Sequence, residues 1–324
     1  MAKFPVAGYA HNISYGWETS FGTISSTFDK AFGQGVKLTT HDIDNSVDYV
    51  YAVGSQELQR QYAKSFKGSW GVEFLLSDAW FLRSIAGAAP TTAGAGPYTH
   101  TWTTANGGIS NSLSSMSINV ASDLDTDSDK NLLGCVVNSG TISMAVDEAV
   151  KVKLDGTFAN YTKDTSLTAT VAPVEEPLYF QQASLELPTS TTITDVQSLE
   201  LGFNRNPDPV YGLGSRFAQK VVGKQREWSI KANLTYESDV EALDRVLGST
   251  TAAGTPSESA TLKVTVTNGG ATTSLRSYVI TYANVFAEKL SLPISHDDVT
   301  KTDVTLRARS ITSIVATNNT SAAL

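Results

Sequence analysis

The sequence writes much of itself twice, in the same order. "DYVYAVGS" at 48–55 returns as "DPVYGLGS" at 208–215, keeping Asp, Val, Tyr, Gly and Ser. Trp70 is followed in the same way by Trp228, and "SDAWFLRSIAG" at 77–87 by "SDVEALDRVLG" at 238–248. "TTAGAGP" at 91–97 returns as "TTAAGTP" at 250–256. "NGGISNSLSSMSINVA" at 106–121 agrees with "NGGATTSLRSYVITYA" at 268–283 at half of its positions. Each match is weak alone, but a constant spacing of about 160 residues in a constant order predicts an internal duplication. The fold must then be one that a unit of about 150 residues adopts twice. The predicted boundaries are a first domain at 1–160 with an N-terminal arm to about 13, a linker at 161–174, a second domain at 175–309, and a C-terminal arm at 310–324.

Within each copy, apolar and polar residues alternate. "KVKLDGTFA" at 151–159 sets Val152, Leu154 and Phe158 against Lys151, Lys153 and Asp155, and "VTLRARS" at 304–310 repeats the device. Period two with many β-branched residues predicts half-buried antiparallel strands. Asn-Gly-Gly in both copies is a turn signal, because Asn and Gly accept positive φ. One short helix is predicted per copy, at 77–87 and 238–248, with Ser and Asp as N-caps and Gly87 and Gly248 as left-handed stops. Its apolar face would carry Phe81, Leu82 and Ile85, or Ala242, Leu243 and Val246. The fold class is mainly β: two tandem β-sandwich or barrel domains, each with one short flanking α-helix.

Composition narrows the function. A net charge of −8 argues against a general nucleic-acid binder, which needs clustered Lys and Arg. The single cysteine, Cys135, excludes an intrachain disulfide. The first residues lack an apolar run behind basic residues, so no secretory signal is read, and no apolar run is long enough to predict a membrane span. None of the four histidines, His11, His41, His100 and His296, stands in a metal or catalytic motif. "GLGSR" at 212–216 is not a nucleophile elbow, and "VVGKQ" is not a phosphate loop. No cofactor is expected, and the chain does not read as an enzyme.

One cluster invites a ligand. "DLDTDSDKN" alternates Asp123, Asp125, Asp127 and Asp129, and the last three are weak calcium candidates. The stretch lacks the Gly and Glu of an EF-hand loop, so a solvated acidic loop is the plainer reading. "YAVGSQELQRQYAKSFKG" reads as an extended hairpin that needs a partner. It supplies the assembly candidates Gln56, Glu57, Arg60, Tyr62 and Lys64; the turn residues Asn106, Gly107, Asn268 and Gly269 join them. Deleting residues 56–65 is expected to leave soluble protein that no longer stacks.

The layout resembles the tail tube (major tail) proteins of long-tailed phages and related archaeal viruses. The likeness starts at "YGWETSFGT" (15–23) and continues through "GSWGVEFLLSDAWFLRSIAG", "YTHTWT" and "NSLSSMSINV" to "GCVVNSGTISMAVDEAVKVKLDGTFA". It covers most of the first copy, with the second as a diverged echo. The resemblance implies sheets that join between subunits into rings, with rings stacked into a hollow tube for the genome. A duplicated chain then implies three chains making a pseudo-sixfold ring in a virion tail assembled in the host cytoplasm. Implied partners are the chain itself and the tape-measure, tail terminator and tail-tip proteins. DNA would pass without specific binding, through a lumen expected to be acidic, and no membrane is involved. The rival readings are another virion tail or capsid protein, or a tandem β-sandwich adhesin or carbohydrate-binding module using Trp80, Tyr98 or Trp102 as stacking platforms.

Overall fold

The computed structural model describes residues 11–54, 56–103, 113–122, 129–163, 175–187, 192–235, 260–270, 274–291 and 301–319. The first half opens with β1 (His11–Trp17), β2 (Lys30–Ala31), β3 (Gln34–Asp44), β4 (Val47–Tyr51), β5 (Leu58–Ala63) and β6 (Lys67–Leu75). The helix α1 (Leu82–Ala86) follows, then β7 (Thr91–Ala93), β8 (Tyr98–Thr103), β9 (Met116–Ser122), β10 (Lys130–Ala145), β11 (Lys151–Phe158) and β12 (Asn160–Lys163). The second half holds β13 (Ala183–Glu186), β14 (Thr192–Ile193), β15 (Val196–Asn204), β16 (Pro207–Tyr211) and β17 (Ala218–Gly223). It ends with β18 (Glu227–Thr235), β19 (Ala260–Thr267), β20 (Ser277–Ser291) and β21 (Lys301–Asn318). The molecule is mainly β, as the alternating sequence predicts, and every named pairing is antiparallel.

Both halves run through the same chain of pairings. In the first, β2 pairs β1, β1 pairs β9, β9 pairs β10, β10 pairs β11, β11 pairs β6 and β6 pairs β3. In the second, the order is β14, β13, β19, β20, β21, β18 and β15. The long strand β10 serves two sheets. The early part of β10 pairs β9 and β12, and its later part pairs β11 and β15. A β-bulge sits in the same place in each long hairpin, at Val137/Ser139 and at Ala287/Lys289, and bends the strand there.

The halves join edge to edge. Strand β10 pairs β15, with Ser139 opposite Asn204 and Ser143 opposite Glu200. One continuous eight-stranded sheet results, in the order β3, β6, β11, β10, β15, β18, β21, β20. A second link pairs β8 of the first half with the end of β21, Thr103 opposite Ser313. His100 stands in that link, buried between Thr92 Oγ1 at 2.9 Å and Asn318 Oδ1 at 3.0 Å. Its role is cross-strand.

One face of the eight-stranded sheet is the core. Trp70, Val72, Phe74, Val152, Leu154, Ile142, Leu199, Leu201, Trp228, Ile230 and Leu306 are all buried on it. Burying each such side chain contributes about 1.5–3 kcal/mol. Volume is balanced across strands. Trp70 lies opposite Gly156, where a Cβ would stand 2.7 Å from the indole, and Phe158 lies opposite Gly68. At the matching places of the second half stand Ile230 opposite Leu306 and Trp228 opposite Ala308. Trp228 therefore matches Gly68 rather than Trp70, and the expected pairing of the two tryptophans is corrected. The match of 106–121 with 268–283 also joins unlike places: it sets β9 against β20, whereas β9 occupies the position that β19 has in the second half.

Other expectations change in detail. The helix at 77–87 shrinks to Leu82–Ala86, with Phe81 at its N-cap and no side-chain cap, so Ser77 and Asp78 do not cap it. Gly87 does end it, at φ 84 with its N–H donating to Arg83 O. Phe81, Leu82 and Ile85 are buried as predicted. The second helix, Gly248 and the 250–256 stretch lie outside the described residues. The expected linker at 161–174 begins inside β12, and its residues 164–174 are not described. The expected C-terminal arm is a strand through Asn318, because Ile311, Ile314 and Ala316 alternate inward and keep a buried face.

Candidate assembly surfaces

Glu18 explains the "YGWETSFGT" signature. Its carboxylate is buried and accepts hydrogen bonds from Ser117 Oγ at 2.8 Å, Gly134 N at 2.7 Å and Gly22 N at 2.9 Å. One side chain thus ties the loop after β1 to β9 and to β10, and Gly134 supplies the positive φ of 66. The motif is a structural clasp beside the sheet.

The second face of the eight-stranded sheet is polar from end to end. Strand by strand, neighbours across it include Lys37 and Glu73, Glu73 and Lys153, Ser143 and Glu200, Glu200 and Lys231, and Asn233 and Asp303. Lys231 Nζ meets Glu200 at 2.8 Å, Lys153 meets Asp155 at 3.3 Å, and Arg307 meets Glu288 at 2.9 Å. These pairs are exposed, so each contributes little to stability. Their effect is on the surface potential: acidic and basic side chains interleave, and the sheet offers hydroxyls and balanced charge. A shallow groove over the junction of the halves is lined by such residues, Thr141, Lys153, Glu200 and Lys231 among them.

Among the described strands the sheet is open at both ends. At one end β3 pairs only β6 among the described strands, leaving Asp42, Ile43 and Asp44 exposed. At the other, the end of β20 pairs only β21 among the described strands, with Lys289 exposed. Unpaired edges of this length are templates for joining another chain.

Two β-hairpins project from the sheet. In β4–β5, Val47 faces Ala63 and Tyr51 faces Leu58; in β16–β17, Pro207 faces Gly223 and Tyr211 faces Ala218, with a bulge at the same step in each. Ser46 and Asn206 share a left-handed φ, 41 and 44, at the entry. Lys64 pairs Asp48 at 3.0 Å, and Lys224 pairs Asp208 at 2.7 Å. Their environments differ. The second hairpin rests on the first half: Tyr211 Oη donates to Phe66 O at 3.0 Å, Phe66 N donates to Arg216 O at 2.8 Å, and the Phe66 and Phe217 rings stand 5.5 Å apart. Arg216 Nη2 also donates to Asn45 O at 3.0 Å. The first hairpin is exposed along both strands, at Tyr49, Tyr51, Leu58 and Tyr62, and at Val53 in its turn.

The matched sequence is that of the phage tail tube protein family, over residues 8–322. The chain belongs to that family. No curated protein matched the sequence.

The sites expected from sequence fall unevenly in this tail tube protein. Gln56, Glu57, Arg60, Tyr62 and Lys64 all lie exposed on the first hairpin or at its base. Asn106 and Gly107 lie outside the described residues. Asn268 is occupied in its own turn, where Oδ1 accepts from Arg276 N at 2.9 Å and Nδ2 donates to Ser274 O at 2.7 Å, while Gly269 supplies φ 60. Those two residues shape a turn. Asp123, Asp125 and Asp127 are not described; Asp129 is buried at the start of β10, and no metal-ligating cluster occurs among the described residues. Trp102 is fully buried with Nε1 donating to Ala88 O at 2.8 Å, and Trp80 is only partly exposed under Lys30, so neither is an open stacking platform. Sequence reasoning missed Asp42, Ile43 and Asp44 and residues 289–291, because an edge is defined by a missing neighbour and leaves no local signal.

Proposed function

We propose that this virion tail protein is a tandem duplication whose three-chain rings stack into the hollow tail tube. The observation that carries the reading is the match between the two free edges and the internal junction. Strand β3 has the place in the first half that β15 has in the second, and the end of β20 has the place of the end of β10. Since β10 already pairs β15, the end of β20 in one molecule is built to pair β3 in the next. Head-to-tail contacts of this kind close into a ring when the rotation allows. Three chains would supply six equivalent sheet units.

The polar face then lines the channel and the apolar face remains inside each subunit. The lumen on this reading is charge-balanced rather than acidic. Interleaved charges and hydroxyls present DNA with no continuous basic track, so the genome slides without being held. The duplicated halves correspond to the two proposed domains, and the tape-measure, terminator and tail-tip proteins remain the proposed partners within the virion. The role is structural, with no catalytic part assigned.

Negative-stain microscopy of the purified full-length chain tests this directly, with native mass spectrometry for stoichiometry. Stacked rings with a central channel and multiples of three chains are expected. Discrete monomers at all concentrations, or closed dimers, would overturn it.

A further inference from the structure

We infer that the junction between the two halves is repeated between molecules, residue for residue: residues 289–291 of one molecule pair with residues 42–44 of the next, whose first hairpin clasps Arg226 of the first molecule. This rests on the ring reading and gives it a register.

The register follows from two spacings. The bulged hairpin β10–β11 and the hairpin β20–β21 pair identically: Ser139 faces Asp155 as Lys289 faces Thr305, and Thr141 faces Lys153 as Ser291 faces Asp303. On the other side, β3–β6 and β15–β18 correspond, with Ile43 opposite Gly68 as Phe203 is opposite Trp228. Inside the molecule Ser139 faces Asn204, Gly140 faces Phe203 and Thr141 faces Gly202. Carried to the open edges, these become Lys289 facing Asp44, Leu290 facing Ile43 and Ser291 facing Asp42. The pairs suit one another. A lysine meets an aspartate and an apolar side chain meets an exposed isoleucine, 44% accessible in the isolated chain. Opposite charges and apolar pairs directly across antiparallel strands are favourable.

The hairpins supply an independent argument. The second hairpin docks on the first half through Tyr211, Arg216 and Phe217, against Phe66. Tyr51, Gln56 and Glu57 hold those places in the first hairpin, and Arg226 holds the place of Phe66 in the second half. Where the internal contact is aromatic on aromatic, the external one is carboxylate on guanidinium. Both sides change together and remain complementary. The hairpin therefore acts sideways within a ring, whereas stacking was its expected role. The different chemistry also keeps the hairpins from exchanging sites, since each contact rejects the other's partner.

The test uses the full-length protein carrying Ile43→Cys and Leu290→Cys together, with each single variant as control. Native Cys135 is fully buried and does not interfere. Under a mild copper oxidant the double variant should yield a ladder of disulfide-linked multimers that reducing agent collapses, while the single variants stay monomeric on denaturing gels. In a second arm, Glu57→Arg or Arg226→Glu should each raise the concentration needed for assembly about tenfold at low salt, and the two together should restore it. Tubes that form without cross-links, or that cross-link only with Cys pairs shifted by two residues, would overturn the register and leave the tail-tube reading standing. Single charge reversals that give intact but unstacked rings would overturn the sideways clasp. A wild-type chain that never forms multimers would remove both.

Discussion

Tyr211 and Phe66, 145 positions apart, are joined by a 3.0 Å hydrogen bond from the Tyr211 hydroxyl to the Phe66 carbonyl oxygen. The bond fastens a projecting hairpin of one half to the strand-entry corner of the other, and it works together with the Phe66–Phe217 ring contact. Tyr211→Phe keeps the ring and removes only the donor, so it should cost about 1 kcal/mol in urea unfolding of the monomer. The matching Tyr51→Phe should leave monomer stability unchanged, because Tyr51 is 62% exposed in the single chain. Equal losses for both variants would contradict the difference in environment.

Glu18 accepts three hydrogen bonds while buried. Glu18→Ala leaves Gly134 N–H and Gly22 N–H without their acceptor and should lower stability by about 3 kcal/mol or more. Glu18→Gln keeps the shape and one acceptor oxygen, so its loss should be smaller. Denaturant titration of the three proteins checks the order; an alanine variant as stable as the wild type would show that the clasp carries little energy.

Asp78 carries a pH dependence. Burial, then the nearby Glu175 carboxylate, raises its pKa from the ordinary 3.8 to about 6, against the opposing pull of Arg276. Between these values the folded chain holds a proton that the unfolded chain releases. This residue's contribution therefore becomes more favourable as pH falls from above 6 toward 4, and is at its worst at neutral pH. Asp78→Asn should stabilise the monomer at pH 7 by up to roughly 3 kcal/mol, with the gain fading below pH 4. Melting curves of both proteins across pH 4–8 test it, and a pH-independent difference would refute it.

Gly156 is defined by its neighbours. A Cβ there would stand 2.2 Å from Val136 O and 2.7 Å from the Trp70 indole. Backbone on one side and a packed ring on the other leave no direction for relief, so Gly156→Ala should cost about 3 kcal/mol, at the upper end for overpacking. Trp70→Phe in the same background should recover part of the loss, which thermal unfolding can measure.

Alternation in the sequence determined the strands, and Gly87 determined where the helix stops, because both depend on neighbours a few residues away. The first projecting hairpin was legible as an extended hairpin for the same reason, while the bulge and the ion pair that it shares with the second came only from the fold. The sequence also carried the Glu18 signature, but only the fold showed that its carboxylate binds Ser117 and Gly134 across distant strands. Tertiary structure alone decided which strand lies beside which. It set Trp228 against Ala308 and Trp70 against Gly156, turned an expected tail into the end of β21, and left Asp42, Ile43 and Asp44 without a neighbour on one side among the described strands. Period two fixes which face a side chain takes, whereas the partner across a ladder is chosen by the packing of the whole sheet.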